Sequence, residues 1–404
     1  MNRTLIVLIV VIAVAARVVA GLGLEGRVHF PDSRQYIQIA QNIRAGDGPR
    51  LDESTVAARP PGYPYFLAAI FSVIRSSPDV PPLLAVRLAQ ALLGGALCLM
   101  VWLAGSKLYG PAVGVAAAAF VALDPFLTYF SGLILSEALF ALLLAAAMLC
   151  LLHSENGKVG WAAAAGLLLG ASAMVRASAL PMIPAVAAAW VLLRWRKRGG
   201  LRQGAAVILL AAAVMIPWAW RNYKLTGSPV FTTLSAGASL YEGTWPGADG
   251  GPAIHRIDWP DETDTMNEAE KDAFLRRRAL EFMKQDPLRM LSLAFVKLRR
   301  FWSIFPNFSE YRRPVTMAIS ALYMVSVLIC IAAGIVIRRK KLGMAGILLV
   351  PAIYFSALHT VFIGSIRYRA PVMPLLAVFA GVAVVALVER AFGSAVRDDA
   401  RPVE

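Results

Sequence analysis

Asp32 is the residue around which chemistry is most readily built. It stands in His29-Phe-Pro-Asp-Ser-Arg-Gln-Tyr36, and Arg59-Pro-Pro-Gly-Tyr-Pro64 follows after a polar segment. One reading makes Asp32 a helix cap that accepts a backbone N–H. The other makes it a general base for a hydroxyl, or the ligand of a divalent ion. Arg59, Tyr36, Tyr63 and Tyr65 share the stretch beside apolar sequence, where charge is costly, and this favours the second reading. Glu137, in Leu-Ile-Leu-Ser-Glu-Ala-Leu-Phe, divides two ways: a helix start favoured by the dipole, or a site carboxylate. Asp124, before Pro125, is a weaker third candidate. Arg59, Arg176, Arg221, Arg367 and Arg369 recur near the same ends of the apolar segments. Singly each would touch lipid headgroups. Gathered, their planar, permanently charged forks would hold phosphate. His29 and His359 lack ligand spacing and read as polar neighbours rather than metal ligands.

The elements that must position these groups are membrane helices. Of 404 residues, 58% are hydrophobic and 16% charged, and the mean hydropathy is +0.63. Soluble domains carry about 25% charge. The net charge of +15 would fit nucleic acid, but the basic residues sit in short clusters between apolar segments, the pattern of cytosolic loops. No nucleic-acid partner is expected. Cys98, Cys150 and Cys330 all lie in apolar segments, with neither metal nor disulfide spacing.

Ten spans are expected, over residues 4–24, 82–103, 111–127, 137–152, 161–175, 180–193, 205–220, 315–337, 344–363 and 371–388. The first reads as a retained helix rather than a cleaved signal. A cytosolic N-terminus puts Lys107, Lys158, Arg194, Arg196, Lys197, Arg198, Arg202, Arg338, Arg339, Lys340, Lys341 and Arg390 inside. Outside fall the first loop (25–81), a long loop (221–313) and the turn around Arg367. Residues 63–74 are too short to span and read as re-entrant or interfacial. Residues 33–45 put Tyr36, Ile37, Ala40 and Ile43 on one face, as a helix on the membrane surface does. In the long loop Asn267 caps a helix that Asp286-Pro287 ends, and 288–305 reads as interfacial with Trp302 at headgroup depth. The loop resembles a lid more than a second domain, so residues 1–404 are expected to form one unit.

Gly21-x-Gly23-x-x-Gly26 follows an apolar helix rather than a strand and is no dinucleotide site. Gly166 and Gly170 read as a helix contact. Neither a P-loop nor His-Glu-x-x-His occurs.

An ordered set of motifs resembles the GT-C integral membrane glycosyltransferases, above all the bacterial branch related to protein O-mannosyltransferases and lipid A aminoarabinose transferases (glycosyltransferase family thirty-nine). The set is Pro31-Asp32-Ser-Arg-Gln-Tyr36, Arg59-Pro-Pro-Gly-Tyr-Pro64, Ser136-Glu137, Arg176, Pro217-Trp-Ala-Trp-Arg221-Asn222-Tyr223, Asp286-Pro287 and Arg367-Tyr368-Arg369-Ala-Pro371. The resemblance implies an all-α polytopic fold. It also implies a sugar donor on polyprenyl phosphate or diphosphate and an envelope acceptor (protein, lipid or glycan). Transfer would invert the anomeric centre on the outer face of a bacterial inner membrane. Asp32 would be catalytic, with Glu137 as a second candidate. Arg59, Arg221, Arg367 and Arg369 would hold the lipid phosphate. Tyr36, Tyr63, Arg176, Asn222, Tyr223 and His359 would line the site. A divalent ion stays open, with Asp32 its ligand. The rivals are a polyprenyl-linked glycan ligase or polymerase, and a flippase with the same arginines and no chemistry. Transporters usually show repeated halves, and no internal repeat is visible here.

Overall fold

The computed structural model describes residues 2–24, 28, 30–74, 81–195, 199–253, 256–307 and 312–398. His29 and the basic residues Arg196, Lys197 and Arg198 lie outside them. Among the described residues every regular element is a helix.

After α1 (Asn2–Leu22), the first loop folds as α2 (Pro31–Ala45) and α3 (Gly62–Ile74). Tyr36, Tyr63, Leu67 and Phe71 on these helices are buried in the same core as Phe140, Trp190 and Phe355. Both helices are therefore seated in the bundle, not laid on its surface. α3 has 13 residues, too few to cross a bilayer, as its sequence indicates.

α4 (Leu83–Tyr109), α5 (Pro111–Leu123), α6 (Pro125–Gly132), α7 (Glu137–His153), α8 (Val159–Val175), α9 (Met182–Leu193) and α10 (Gly200–Thr226) build the bundle. By length and composition seven segments can cross a membrane, and the pair α5–α6, bent by 53°, makes an eighth. The other two of the ten expected spans, α8 and α9, are shorter apolar helices of 17 and 12 residues. The bend comes from Asp124-Pro125. A residue before proline is pushed out of the helical region. Asp124 is extended there, and its carboxylate caps α6 by accepting from the N–H groups of Phe126 (2.8 Å) and Leu127 (3.0 Å).

Small residues bring the helices together. A Cβ on Gly166 would lie 2.6 Å from the Val207 carbonyl oxygen, and one on Gly170 would lie 2.7 Å from that of Ala211. The backbones of α8 and α10 are thus in contact, as close glycine packing in membranes allows.

The long loop forms α11 (Ala236–Thr244), α12 (Glu268–Gln285) and α13 (Pro287–Phe301) around a small core of its own, with Leu240, Tyr241, Ile257 and Leu275. Asn267 and Glu270 make a reciprocal capping box on α12. α13 buries Leu293, Lys297 and Phe301 and exposes Leu288, Leu291 and Phe295. The chain ends with α14 (Pro314–Arg338), α15 (Val350–Val361), the single turn α16 (Ile366–Arg369) and α17 (Met373–Asp398).

Candidate active site

α2 opens with Phe30 at its N-cap and Pro31 in its first turn, and no side chain caps it. Asp32 is therefore free of the capping role its position suggests. Its two oxygens accept instead from two arginines brought in from distant sequence. Oδ1 accepts from Arg59 Nη2 at 2.6 Å, and Oδ2 from Arg367 Nη1 at 2.8 Å. Arg59 Nε donates to Gln35 Oε1 at 2.8 Å, on the same turn of α2 as Asp32. Arg367 Nε donates to Glu137 Oε1. The same oxygen accepts from Arg176 Nη1 at 2.7 Å, and Arg176 Nη1 also donates to Ser136 Oγ at 3.3 Å. The result is an alternating row: Arg59, Asp32, Arg367, Glu137, Arg176. Three guanidiniums face two carboxylates.

Aromatic rings fix the guanidinium planes. Arg59 lies 5.7 Å over Tyr36, Arg367 5.7 Å over Phe30, and Arg176 5.4 Å over Tyr368. Tyr368 stacks flat on His359, with centroids 4.3 Å apart and planes 4° from parallel. Burial opposes ionisation of Asp32, but the Arg59 and Arg367 guanidiniums prevail and hold its carboxyl well below the usual carboxylate range. Burial lowers the Arg59 guanidinium, but Asp32, with Tyr36 and Tyr368, outweighs this and raises it above its ordinary value.

Asp32, Tyr36, Arg59, Arg176, His359, Arg367 and Tyr368 line a cavity of about 340 Å3. Its other walls carry the hydroxyls of Ser136, Ser178, Thr232, Thr233, Ser235 and Ser239. Arg367 also borders a second, apolar cavity of about 250 Å3, walled by Phe30, Phe126, Tyr129, Phe130 and Ile319. One side chain thus separates a polar chamber from an apolar one.

The rest of the sequence-derived set goes elsewhere. Arg221 is committed to the first loop: it donates to the carbonyls of Val56 (2.7 Å) and Pro49 (3.1 Å). Asn222, fully buried, accepts from Arg221 at 2.9 Å and donates to the Val230 carbonyl. Tyr223 is half exposed and stacks on Trp220. Arg369 is 1% exposed and donates to the carbonyls of Phe301 (3.1 Å) and Ser303 (2.8 Å), so it borders neither cavity. Tyr63 is buried and donates to Gln90 Oε1 at 2.7 Å. Glu137 stands behind the arginines, 1% exposed, and does not line the polar cavity.

Sequence reasoning missed the latch that holds Arg59 in place. The carboxylate of Glu268 accepts from the N–H groups of Val56 and Ala57, each at 3.0 Å, and the Thr233 hydroxyl donates to the Ala57 and Ala58 carbonyls. Burial raises the Glu268 carboxyl above its ordinary value. An acid one residue past a helix cap looks like a dipole partner, and nothing nearby in sequence marks its true target.

A divalent ion finds no fitting donor set. Among the described residues no group of three His, Cys, Asp or Glu side chains is gathered, and Asp32 spends both oxygens on arginines.

The family model described as dolichyl-phosphate-mannose-protein mannosyltransferase matches residues 58–220, which include Arg59, Glu137 and Arg176. No curated protein matches the chain. The archaeal oligosaccharyltransferase AglB from Archaeoglobus fulgidus, solved with an inhibitory peptide and a dolichol-phosphate, superposes with a TM-score of 0.62 at 14% identity. The superposition covers 100% of this chain and 52% of that one. The chain has the GT-C fold. The Archaeoglobus enzyme complexed with Zn and sulfate gives a TM-score of 0.60 at 14% identity, over 96% of this chain and 49% of that one. ArnT from Cupriavidus metallidurans, bound to undecaprenyl phosphate, is also similar: TM-score 0.46, 14% identity, 93% of this chain and 77% of that one. The chain thus spans about half the length of the oligosaccharyltransferase it matches, and shares its membrane fold.

Proposed function

We propose that the chain is an inverting glycosyltransferase that moves a sugar from a polyprenyl-phosphate or diphosphate carrier to a hydroxyl of an envelope acceptor. The observation that carries this reading is Arg367. It pairs with Asp32, the one carboxylate among the described residues that faces the polar cavity, and also borders the apolar cavity. A lipid-linked sugar has the matching shape: an apolar chain, a phosphate and a polyol in sequence. The first isoprene units fit the chamber of Phe30, Phe126 and Phe130. The phosphate fits Arg367 with Arg59 and Arg176. The sugar fits the hydroxyl-lined chamber.

The chemistry then follows from charge. An acceptor hydroxyl attacks the anomeric carbon while the bond to phosphate oxygen breaks on the opposite face. Asp32 takes the hydroxyl proton as general base. The arginines stabilise the charge that gathers on the departing phosphate. Asp32 is a weak base while two guanidiniums hold it. A donor phosphate competes for those same guanidiniums and so releases Asp32 when the donor is in place. Glu137 keeps Arg367 and Arg176 oriented from behind.

Polarity supports a site on the outer face of a bacterial inner membrane, with the N-terminus in the cytoplasm. Lys107 and Arg338 end α4 and α14, whereas Asp32, Arg59, Arg176 and Arg367 gather at the opposite ends of the spans.

The test is transfer from a panel of labelled polyprenyl-phosphate and diphosphate sugars to envelope extract, comparing wild type with Asp32→Asn. Wild type should transfer label. Asp32→Asn should bind donor and lose about 10²–10⁴-fold in rate, the scale of a general base. Equal rates would refute the role of Asp32. Lipid translocation without transfer would make the protein a flippase.

A further inference from the structure

α6 ends at Gly132 and α7 begins at Glu137, so the carbonyls of Ser131, Gly132 and Leu133 leave the helical ladder. Two side chains one turn apart on α4 take all three. Arg87 Nε donates to the Gly132 carbonyl at 2.9 Å, and Gln90 Nε2 donates to those of Ser131 (2.8 Å) and Leu133 (2.7 Å). A carbonyl only accepts, so the Gln90 amide nitrogen must face this break and its oxygen must face away. There Oε1 accepts from the Tyr63 hydroxyl at 2.7 Å. Burial, and next the Glu137 carboxylate, push the Tyr63 phenol well above its ordinary value, so it stays a donor. Gln90 and Tyr63 are both fully buried. An amide within a membrane helix is costly unless bonded, and this one has its nitrogen and its oxygen both engaged.

These bonds reach both ends of the charged row. The held break leads into Ser136 and Glu137, whose side chains accept from Arg176. On the other side the Tyr63 ring meets Tyr36 edge-on, with centroids 4.9 Å apart, and Tyr36 lies under Arg59, the partner of Asp32. Gly62 lets α3 press onto the same neighbourhood: a Cβ there would lie 2.8 Å from the Met174 carbonyl oxygen, close to Arg176 in the chain.

We propose that Gln90 is a positioning residue for the site: one buried amide fixes both the break that presents Ser136 and Glu137 to Arg176 and the ring pair that carries Arg59. It thereby sets the spacing of the two outer guanidiniums and their grip on a phosphate. The phosphate consequence rests on the transferase reading, and the buried bonding does not.

The test uses the full-length protein in lipid nanodiscs, as Gln90→Leu, Tyr63→Phe and the double variant. The quantities read are Kd for labelled polyprenyl phosphate and kcat for sugar transfer counted per phosphate-binding site. A merely structural loss lowers the number of sites and leaves both quantities alone. Gln90→Leu should weaken binding by about three- to thirtyfold, the range of coupled neighbours, and lower kcat per site by about ten- to a hundredfold, the scale of a misplaced catalytic group. Tyr63→Phe frees one end only, so it should do less and should add little in the Gln90→Leu background. Fully additive losses, or a Kd and kcat of Gln90→Leu within about twofold of wild type, would overturn the proposal. If Gln90→Leu does not fold, Tyr63→Phe keeps its ring and decides: a Kd weaker by about twofold or more supports the link, and a smaller change refutes it. If wild type binds polyprenyl phosphate and transfers no sugar, the transferase reading fails, and Kd still decides the role of Gln90. If wild type binds no polyprenyl phosphate, both fall.

Discussion

Replacing Arg367 separates the two roles the structure gives it. Its side chain is 11% exposed and serves Glu137, which is 1% exposed, as well as Asp32. Arg367→Met leaves Glu137 buried with only Arg176 beside it. Removing one member of a buried ion pair costs about 3–5 kcal/mol, chiefly because the other charge stays desolvated. Arg59→Met removes a pair whose partners are 24% and 25% exposed, and such losses are about 1 kcal/mol or less. The difference between the two variants should therefore be at least about 2 kcal/mol. Adding Glu137→Leu to Arg367→Met removes the stranded charge and supplies apolar volume, and exchanges of this kind are close to neutral. Arg176 keeps its access to the polar cavity and its contact with Ser136. The thermal midpoint in detergent should thus fall sharply for Arg367→Met, slightly for Arg59→Met, and return most of the way in the double variant. Transfer should not return, because the phosphate ligand is still missing. A double variant as unstable as Arg367→Met alone, or one that regains activity, would refute the argument.

Two further outcomes are expected. Glu268→Ala removes the acceptor of the Val56 and Ala57 N–H groups, and each left buried would cost about 1–3 kcal/mol. The 49–58 segment should release instead, raising donor KM with little change in kcat and admitting protease near Ser54; unchanged KM and cleavage would refute the latch. Lys297 is 1% exposed, and burial pushes its ammonium down to about 8. Below that pH the lysine is charged in folded and unfolded chains alike, and the folded state bears the desolvation. Between pH 8 and about 10.4 the unfolded chain holds more protons, so stability should rise with pH by roughly 3 kcal/mol. Lys297→Met should raise the midpoint at pH 7 and abolish the rise, which thermal scans from pH 7 to 10 can check.

The sequence exposes the charges and hides their directions, and the reason is geometric. Arg367 and Arg369 flank Tyr368 and look equivalent in the chain. On a helical turn two residues are separated by about 200°, so only one of them can face the cavity. Arg367 reaches Asp32, and Arg369 turns back to the carbonyls that end α13. Which one faces in depends on the approach of α13, a choice made by packing some sixty residues upstream. The spans were legible where apolar runs are long, as in α1 and α14, and ambiguous where a short helix shares its apolar surface with neighbours, as α8 does with α10. Asp32 and Arg59 were legible together because one loop carries both. Glu137 was legible as an unusual charge, but its place behind the arginines was not. A carboxylate at a helix start reads alike whether it meets substrate or the ligands of substrate. Its full burial decides between these: a base must reach water or acceptor, and Glu137 reaches neither, whereas Asp32 keeps a quarter of its side chain exposed. In the proposed transferase the two carboxylates of the row therefore divide the work, Asp32 toward the proton and Glu137 toward holding Arg367 where both chambers meet.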